Sequence, residues 1–520
     1  MTSAASRETV EERTSHAQLL RALSGLYLGM FVAIVSATIV ANALPVITTD
    51  LGAGQSTYTW VIVSTLLATT VTSPLWGKLA DLADKKKLLQ AGLLVFALGS
   101  ALSGAAVNPG LLIAARVVQG IGAGGLLALT QVIMATILSP RERGRYNGYM
   151  GAVLAVGTSG GPLLGGLIVD VDWLGWRWCF FIVVPLALLA MAVLQRNLDL
   201  PVRRREVTVD WAGAALITSS ASLLMVWVTF AGAEYPWLSW QTLAMAGGGI
   251  VLAALFTWVE GRAAEPIVPL RLFRNPTVSL AVVASLLAGV IMYSSTTFLS
   301  QYFQLSAGKS PTMAGILTLP LILSLAVAST LSGRIISTSG RWKPFLAAGG
   351  VMLAMGSGLL GLLRHSTPYL VVALGMAFVG VGLGMTLQNL VLSVQNQVRP
   401  EQLGAASTSV SFFRTLGGTI GVSALGTVLS HRVVEYSSDD LARLGVHGSS
   451  SGDAIPDLPS LPAPVRSVLE NAFGHAIGDV FLYTAPLALL SLVAIACIKE
   501  VPLRTSTPLQ VLDEQAGRRS

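Results

Sequence analysis

Fourteen apolar stretches of 17 to 25 residues, separated for the most part by short polar segments, run the length of the chain. A helix rises 1.5 Å per residue, so each stretch covers the roughly 30 Å hydrocarbon core of a bilayer. Inside lipid every backbone N–H and C=O needs a partner within the protein, and a single run of this length meets that need only as a helix. Spans are predicted at 23–44, 59–77, 88–107, 111–133, 148–168, 179–195, 211–231, 242–259, 277–299, 313–334, 345–363, 369–391, 405–429 and 480–498. Charged residues make up 11% of the 520, against about 25% in a soluble domain, so soluble multidomain plans do not fit. The first apolar run follows about twenty polar residues and has no small-residue cleavage site, so it reads as a span and not as a cleaved signal.

The net charge of +7 raises nucleic acid as a partner, and its placement argues against it. An even number of spans puts both termini on one side. With that side cytoplasmic, 25 of the 33 Lys and Arg residues fall in cytoplasmic segments, among them Lys85, Lys86, Lys87, Arg141, Arg143, Arg145, Arg203, Arg204 and Arg205. Six fall outside, and two, Arg116 and Arg414, lie within spans. This is the positive-inside pattern, and it predicts a multi-pass protein of the plasma (inner) membrane with cytoplasmic termini. Both cysteines, Cys179 and Cys497, read as small hydrophobes.

Internal repetition suggests two halves. Gly77, Lys85 and Lys87 recur as Gly333, Arg341 and Lys343 at a shift of 256. Pro140, Gly144, Gly157 and Gly161 recur as Pro400, Gly404, Gly417 and Gly421 at a shift of 260. The expected division is a tail over 1–22, a six-helix bundle over 23–196, two inserted helices with their loops over 197–276, a second six-helix bundle over 277–498, and a tail over 499–520. Parallel six-helix halves with substrate at their interface are a known transporter plan. The second bundle includes the only long loop, 430–478, which is Ser/Pro/Asp-rich at 449–464 and is expected to be irregular there. Residues 465–475 are expected as a short interfacial helix.

Three motifs carry a resemblance. Gly77-Lys78-Leu79-Ala80-Asp81-Leu82-Ala83-Asp84-Lys85-Lys86-Lys87 resembles the signature cytoplasmic loop of the major facilitator superfamily, with Leu82 for the usual Arg and Asp84 for the usual Gly. In that family the loop latches the two halves, which makes Gly77 and Asp81 gating candidates. Arg116-Val117-Val118-Gln119-Gly120-Ile121-Gly122 resembles the family's span-four motif, whose arginine is linked to proton movement. A charge at mid-helix costs about 2.5–3.5 kcal/mol on a translocon scale, so Arg116 is expected to face protein or water. Gly120 and Gly124 form a face that admits another helix. Gly157-Thr158-Ser159-Gly160-Gly161-Pro162-Leu163-Leu164-Gly165-Gly166 resembles the span-five motif of the exporting, antiport branches. There Gly157, Gly161 and Gly165 form a stripe, and Pro162 removes one backbone hydrogen bond and bends the helix. Trp176 to Pro185 and Thr38 to Pro45 are similar to the fourteen-span drug:proton antiporters. The resemblance implies an all-α integral membrane protein of the major facilitator fold, two six-helix bundles plus two extra helices. It also implies a secondary exporter of drugs, antibiotics or secondary metabolites that works by proton antiport through alternating access.

One departure bears on the substrate. Drug exporters place an Asp two residues before the Thr of the span-one motif, and here Ser36 stands there. All 26 acidic residues lie in loops, tails or span ends, while Arg116 and Arg414 remain inside spans. Charge complementarity then favours neutral or anionic amphiphiles over lipophilic cations. Ser36, Asn42, Tyr293, Phe298, Gln388, Asn389, Phe412 and Arg414 are candidates to line the cavity. No nucleotide-binding loop is present, so ATP is not expected as a driver, nor is a cofactor, a metal, a catalytic role or nucleic acid. The expected partners are a small amphiphile, protons and the bilayer, with the monomer as the working unit. An exporter or flippase of lipid-like metabolites, or a non-transporting membrane receptor, are the alternatives.

Overall fold

A computed structural model describes residues 16–51, 55–169, 174–198, 210–231, 235–263, 266, 268–444 and 461–504, and the side chains of Asn42 and Pro162 lie outside what is described. The helices are α1 (His16–Asp50), α2 (Gln55–Leu82), α3 (Lys85–Gly104), α4 (Pro109–Ile137), α5 (Pro140–Val169), α6 (Trp178–Phe181), α7 (Val183–Asn197) and α8 (Trp211–Phe230). They continue as α9 (Trp240–Glu260), α10 (Pro276–Gln301), α11 (Pro311–Leu317), α12 (Leu319–Ser339), α13 (Lys343–Leu360), α14 (Tyr369–Gln397), α15 (Leu403–Arg443) and α16 (Ala463–Cys497). Thirteen stretches among the described residues are long and apolar enough to cross a membrane. The remaining predicted span, 148–168, lies within α5. The short α6 and α7 together make one crossing, as do α11 and α12.

Local chemistry explains where several helices start. Asp84 accepts from Lys86 N (2.9 Å) and Lys87 N (3.3 Å) and caps α3, which accounts for a carboxylate where the family motif has glycine. Ser139 and Glu142 form a reciprocal capping box at the start of α5, with Glu142 Oε2 accepting from Ser139 N at 3.1 Å. Asn108, Asp210, Ser239 and Asn275 cap α4, α8, α9 and α10.

Helices α1 to α7 pack around two apolar clusters, one of which holds Cys179 and Phe180 of α6, and α10 to α16 around two others. The predicted close approach at Gly120 and Gly124 is made by α2. A Cβ there would lie 2.5 Å from Thr65 O and 2.6 Å from Thr69 O, and Thr69 Oγ1 donates to Gly120 O at 3.1 Å. The inserted pair α8 and α9 packs beside α2 and α15, with Ala221 of α8 joining Val71 and Phe412 in one cluster. It therefore lies along one seam between the halves.

The loop expected over 430–478 differs. Helix α15 runs unbroken to Arg443, and α16 begins at Ala463, so 465–475 is the first part of the last span and not a separate interfacial helix. The two extensions hold each other through polar contacts. Arg432 Nε lies 3.5 Å from Asp479 Oδ2, and the Tyr436 hydroxyl donates to the same oxygen at 2.6 Å. The Ser/Pro/Asp-rich part, apart from its last few residues, falls outside the described residues.

Candidate functional site

The halves meet where repeat-related glycines face each other. Gly77 of α2 lies against Gly404 of α15, and a Cβ on it would lie 2.9 Å from Gly404 O. Gly144 of α5 lies against Gly333 of α12, with the equivalent approach to Gly333 O at 2.5 Å. Residues 77 and 333 are one repeat pair, and 144 and 404 the other, so the two contacts are the same contact seen from each half. Both lie at the end of the bundle that carries the α2–α3 and α4–α5 connections, called the basic end below.

Charge reinforces each contact differently. Asp81 Oδ1 accepts from Gly404 N (3.0 Å) and Oδ2 from Ala405 N (3.2 Å), so the carboxylate sits on the N-terminus of α15, the positive end of its dipole. On the other contact Arg141 donates to Ser337 O (3.0 Å) and Thr338 O (2.7 Å), the negative end of α12. Arg143, which reading the motifs had not singled out, is fully buried. It donates to Leu138 O (3.0 Å) and Ala135 O in its own half and to Gln395 Oε1 (2.8 Å) across the seam. Gln395 in turn donates to Ser407 Oγ at 2.8 Å. The signal for Arg143 was its place in the basic loop, where solvated charge is the ordinary expectation.

The span-five stripe faces a different partner from the seam. Gly157, Gly161 and Gly165 lie against Ile34, Thr38 and Ile39 of α1, inside the first half. The α5 glycines that meet the second half are Gly144, Gly148 and Gly151, which lie against Gly333, Thr330 and Ser329.

Inside the bundle, Arg116 is buried and its described partners are uncharged: Nε donates to Val61 O at 3.3 Å and Nη1 to Gln119 Oε1. The chain continues from Gln119 Nε2 to Ser36 Oγ at 2.9 Å. The structure thus joins Ser36 and Arg116 through Gln119. The Arg116 guanidinium also lies 5.9 Å from the ring centroid of Phe180.

A second chain crosses between the halves. Arg414 Nη2 donates to Ser411 Oγ at 3.4 Å, and Ser411 Oγ donates to Gln131 Oε1 of α4 at 3.2 Å. Arg414 is half-buried. Tyr293 packs against Gly418, one turn further along α15. Phe412 is buried with Val71 and Ala221. Gln388 is half-buried, whereas Asn389 is buried and spends its amide on Met385 O (2.7 Å) of its own helix. Phe298 is packed in the apolar core of the second half with Leu299 and Phe303, so its ring serves packing there.

The Trp176–Pro185 motif closes the opposite end of the first half. Trp176 Nε1 and Arg177 Nη1 donate to Asp50 Oδ2 at 2.8 and 3.3 Å. The Trp176 bond, helped by Arg177, holds the Asp50 carboxyl below its ordinary pKa.

Comparison with known proteins agrees with this architecture. The profile of the Major Facilitator Superfamily matches residues 26–422. The chain is 33% identical over 486 residues to an uncharacterized MFS-type transporter of Mycobacterium tuberculosis, covering 92% of this chain and 69% of that one. It is 32% identical to the multidrug transporter protein MdtP of Bacillus subtilis (93% and 86%) and 29% identical to the efflux pump dotC of Dothistroma septosporum (96% and 86%). Among solved structures, the proton:xylose symporter XylE superposes with a TM-score of 0.61 at 14% identity, over 95% of this chain and 99% of that one. The human organic anion transporter MFSD10 does so at 0.57 and 15%, over 90% and 99%. Those two likenesses concern the fold alone. The repeat-related seam, the helical plan and these matches lead to one conclusion: the chain belongs to the major facilitator superfamily of membrane transporters.

Proposed function

We propose that this protein is a secondary exporter of neutral or anionic amphiphiles, drugs or secondary metabolites among them, working by alternating access with proton antiport. The observation that carries the substrate preference is Arg414. It lies half-buried between the halves, and its described side-chain hydrogen bond is a long one to a hydroxyl. A guanidinium so placed keeps donors for a carboxylate or sulfonate, and it repels cations in a medium of low dielectric. Relatives named as a multidrug transporter and as efflux pumps support export, and the span-five motif supports the antiport branch. On the Lys/Arg asymmetry we assign the basic end to the cytoplasm and the protein to the plasma membrane as a monomer. The geometry described is then the state sealed on the cytoplasmic side.

The test is efflux from a pump-deficient host, and from proteoliposomes under an imposed proton gradient, of matched anionic, neutral and dicationic dyes. Export of the anionic and neutral dyes, weakened for the anion by Arg414→Ala, supports the reading. Strong export of the dication that survives in Arg414→Ala overturns the charge preference, and absence of any proton-driven flux overturns antiport.

A further inference from the structure

The first turn of α3 is capped by a residue of its own loop, Asp84, through Lys86 N and Lys87 N. The repeat places Trp342 and Lys343 at the matching positions of the second half, at the shift of 256. The residue that matches Asp84 is Gly340, which has no side chain and takes a left-handed φ of 72° to end α12. The two amides are nevertheless capped. Glu500 Oε1 accepts from Trp342 N at 3.1 Å and from Lys343 N at 3.2 Å. A carboxylate from beyond the last span, 158 positions along the chain from Trp342, does for α13 what a neighbour does for α3.

Glu500 sits in a strap, residues 498–504, that crosses the basic end of the second half. Trp342 Nε1 donates to Val501 O at 2.9 Å. Asn396, at the end of α14, donates to Pro502 O (3.1 Å) and accepts from Arg504 N (3.1 Å). Ile498 and Leu503 are buried in the same apolar cluster as Trp342, Val398 and Leu403. The last turn of α14 is thus held from two sides by adjacent residues: Asn396 by the strap, Gln395 by Arg143 of the other half. Seven residues after Asn396 the chain enters α15, whose first amides receive Asp81.

We propose that Glu500 is a positioning residue for the seal between the halves: by capping α13 from the strap, it holds the ends of α13 and α14 so that Gln395, Gly404 and Ala405 meet Arg143 and Asp81. Removing the cap loosens the strap and raises the population in which the basic ends are apart.

Spin labels on Lys87→Cys and Arg334→Cys, both exposed and on opposite halves, report that separation by electron–electron distance measurement in nanodiscs with Cys179 and Cys497 replaced by Ser. Glu500→Ala is expected to raise the ratio of long to short distances about fivefold, the order set by loss of one helix cap. Glu500→Gln, which keeps an acceptor oxygen, is expected to fall between Glu500→Ala and wild type, and it carries the same reading if Glu500→Ala does not fold. Lys499→Ala is expected to match wild type. Unchanged distances in the Glu500 variants, with or without a lower Tm, overturn the proposal and leave Glu500 a local cap. An equal shift in Lys499→Ala overturns it as well, since the effect would then belong to the charge of the tail.

Discussion

Gln119 donates from Nε2 to Ser36 Oγ at 2.9 Å while its Oε1 takes the Arg116 guanidinium. The residue that replaces the usual carboxylate of span one is therefore wired to the buried cation of span four. Arg116→Ala leaves Gln119 Oε1 without its donor, at about 1–3 kcal/mol for the buried orphan, while Val61 O keeps the Ser64 and Thr65 hydroxyls. Insertion and expression are expected to persist, and efflux to fall roughly tenfold or more. Wild-type efflux in a well-expressed variant would show that the guanidinium only fills space.

Ser36→Asp tests the charge argument from the other direction. The new carboxylate meets Gln119 Nε2 and, behind it, Arg116, and its ionised form cancels the local positive charge. The substrate range should widen toward cations. The measurement is uptake of a dicationic dye by everted vesicles, and an unchanged ratio of cationic to anionic flux contradicts it.

Asp81→Asn keeps an acceptor at the α15 N-terminus and removes the charge. Such charge–dipole contacts are worth about 0.3–2 kcal/mol, so the sealed state should lose several-fold in population. Hydrogen exchange at the Gly404 and Ala405 amides is expected to speed up by a like factor. Identical exchange in both proteins means the latch does not hold the seam.

Two glycines of α5 should behave differently. Gly161→Val pushes into Thr38 within one half, so it is expected to lower Tm, with overpacking costs of about 1–3 kcal/mol. Gly148→Val meets Thr330 across the seam, where even a Cβ would lie 2.7 Å from Thr330 Cα. It should instead hold the basic ends apart and raise the labelling rate of Ser329→Cys by a thiol reagent. Equal labelling in the two variants would remove the distinction between the stripe and the seam.

What the sequence alone determined follows from lengths and local chemistry. Runs matched to the bilayer predicted the spans, the repeat predicted two halves, and short motifs predicted which glycines pack closely and that Arg116 is enclosed by protein. Partners were another matter. The stripe of Gly157, Gly161 and Gly165 was legible as a close-packing face, but that it meets α1 and not the second half depends on how α5 is rotated. Asp81 was legible as a gating candidate, while the amides it meets lie more than 320 positions away, and Arg143 and Glu500 read as ordinary solvated charge. In a water-soluble helix the apolar stripe marks the buried side. In a membrane, lipid and core are equally apolar, so the pattern of hydrophobic residues does not say which face meets protein, and only the packed tertiary structure decides it.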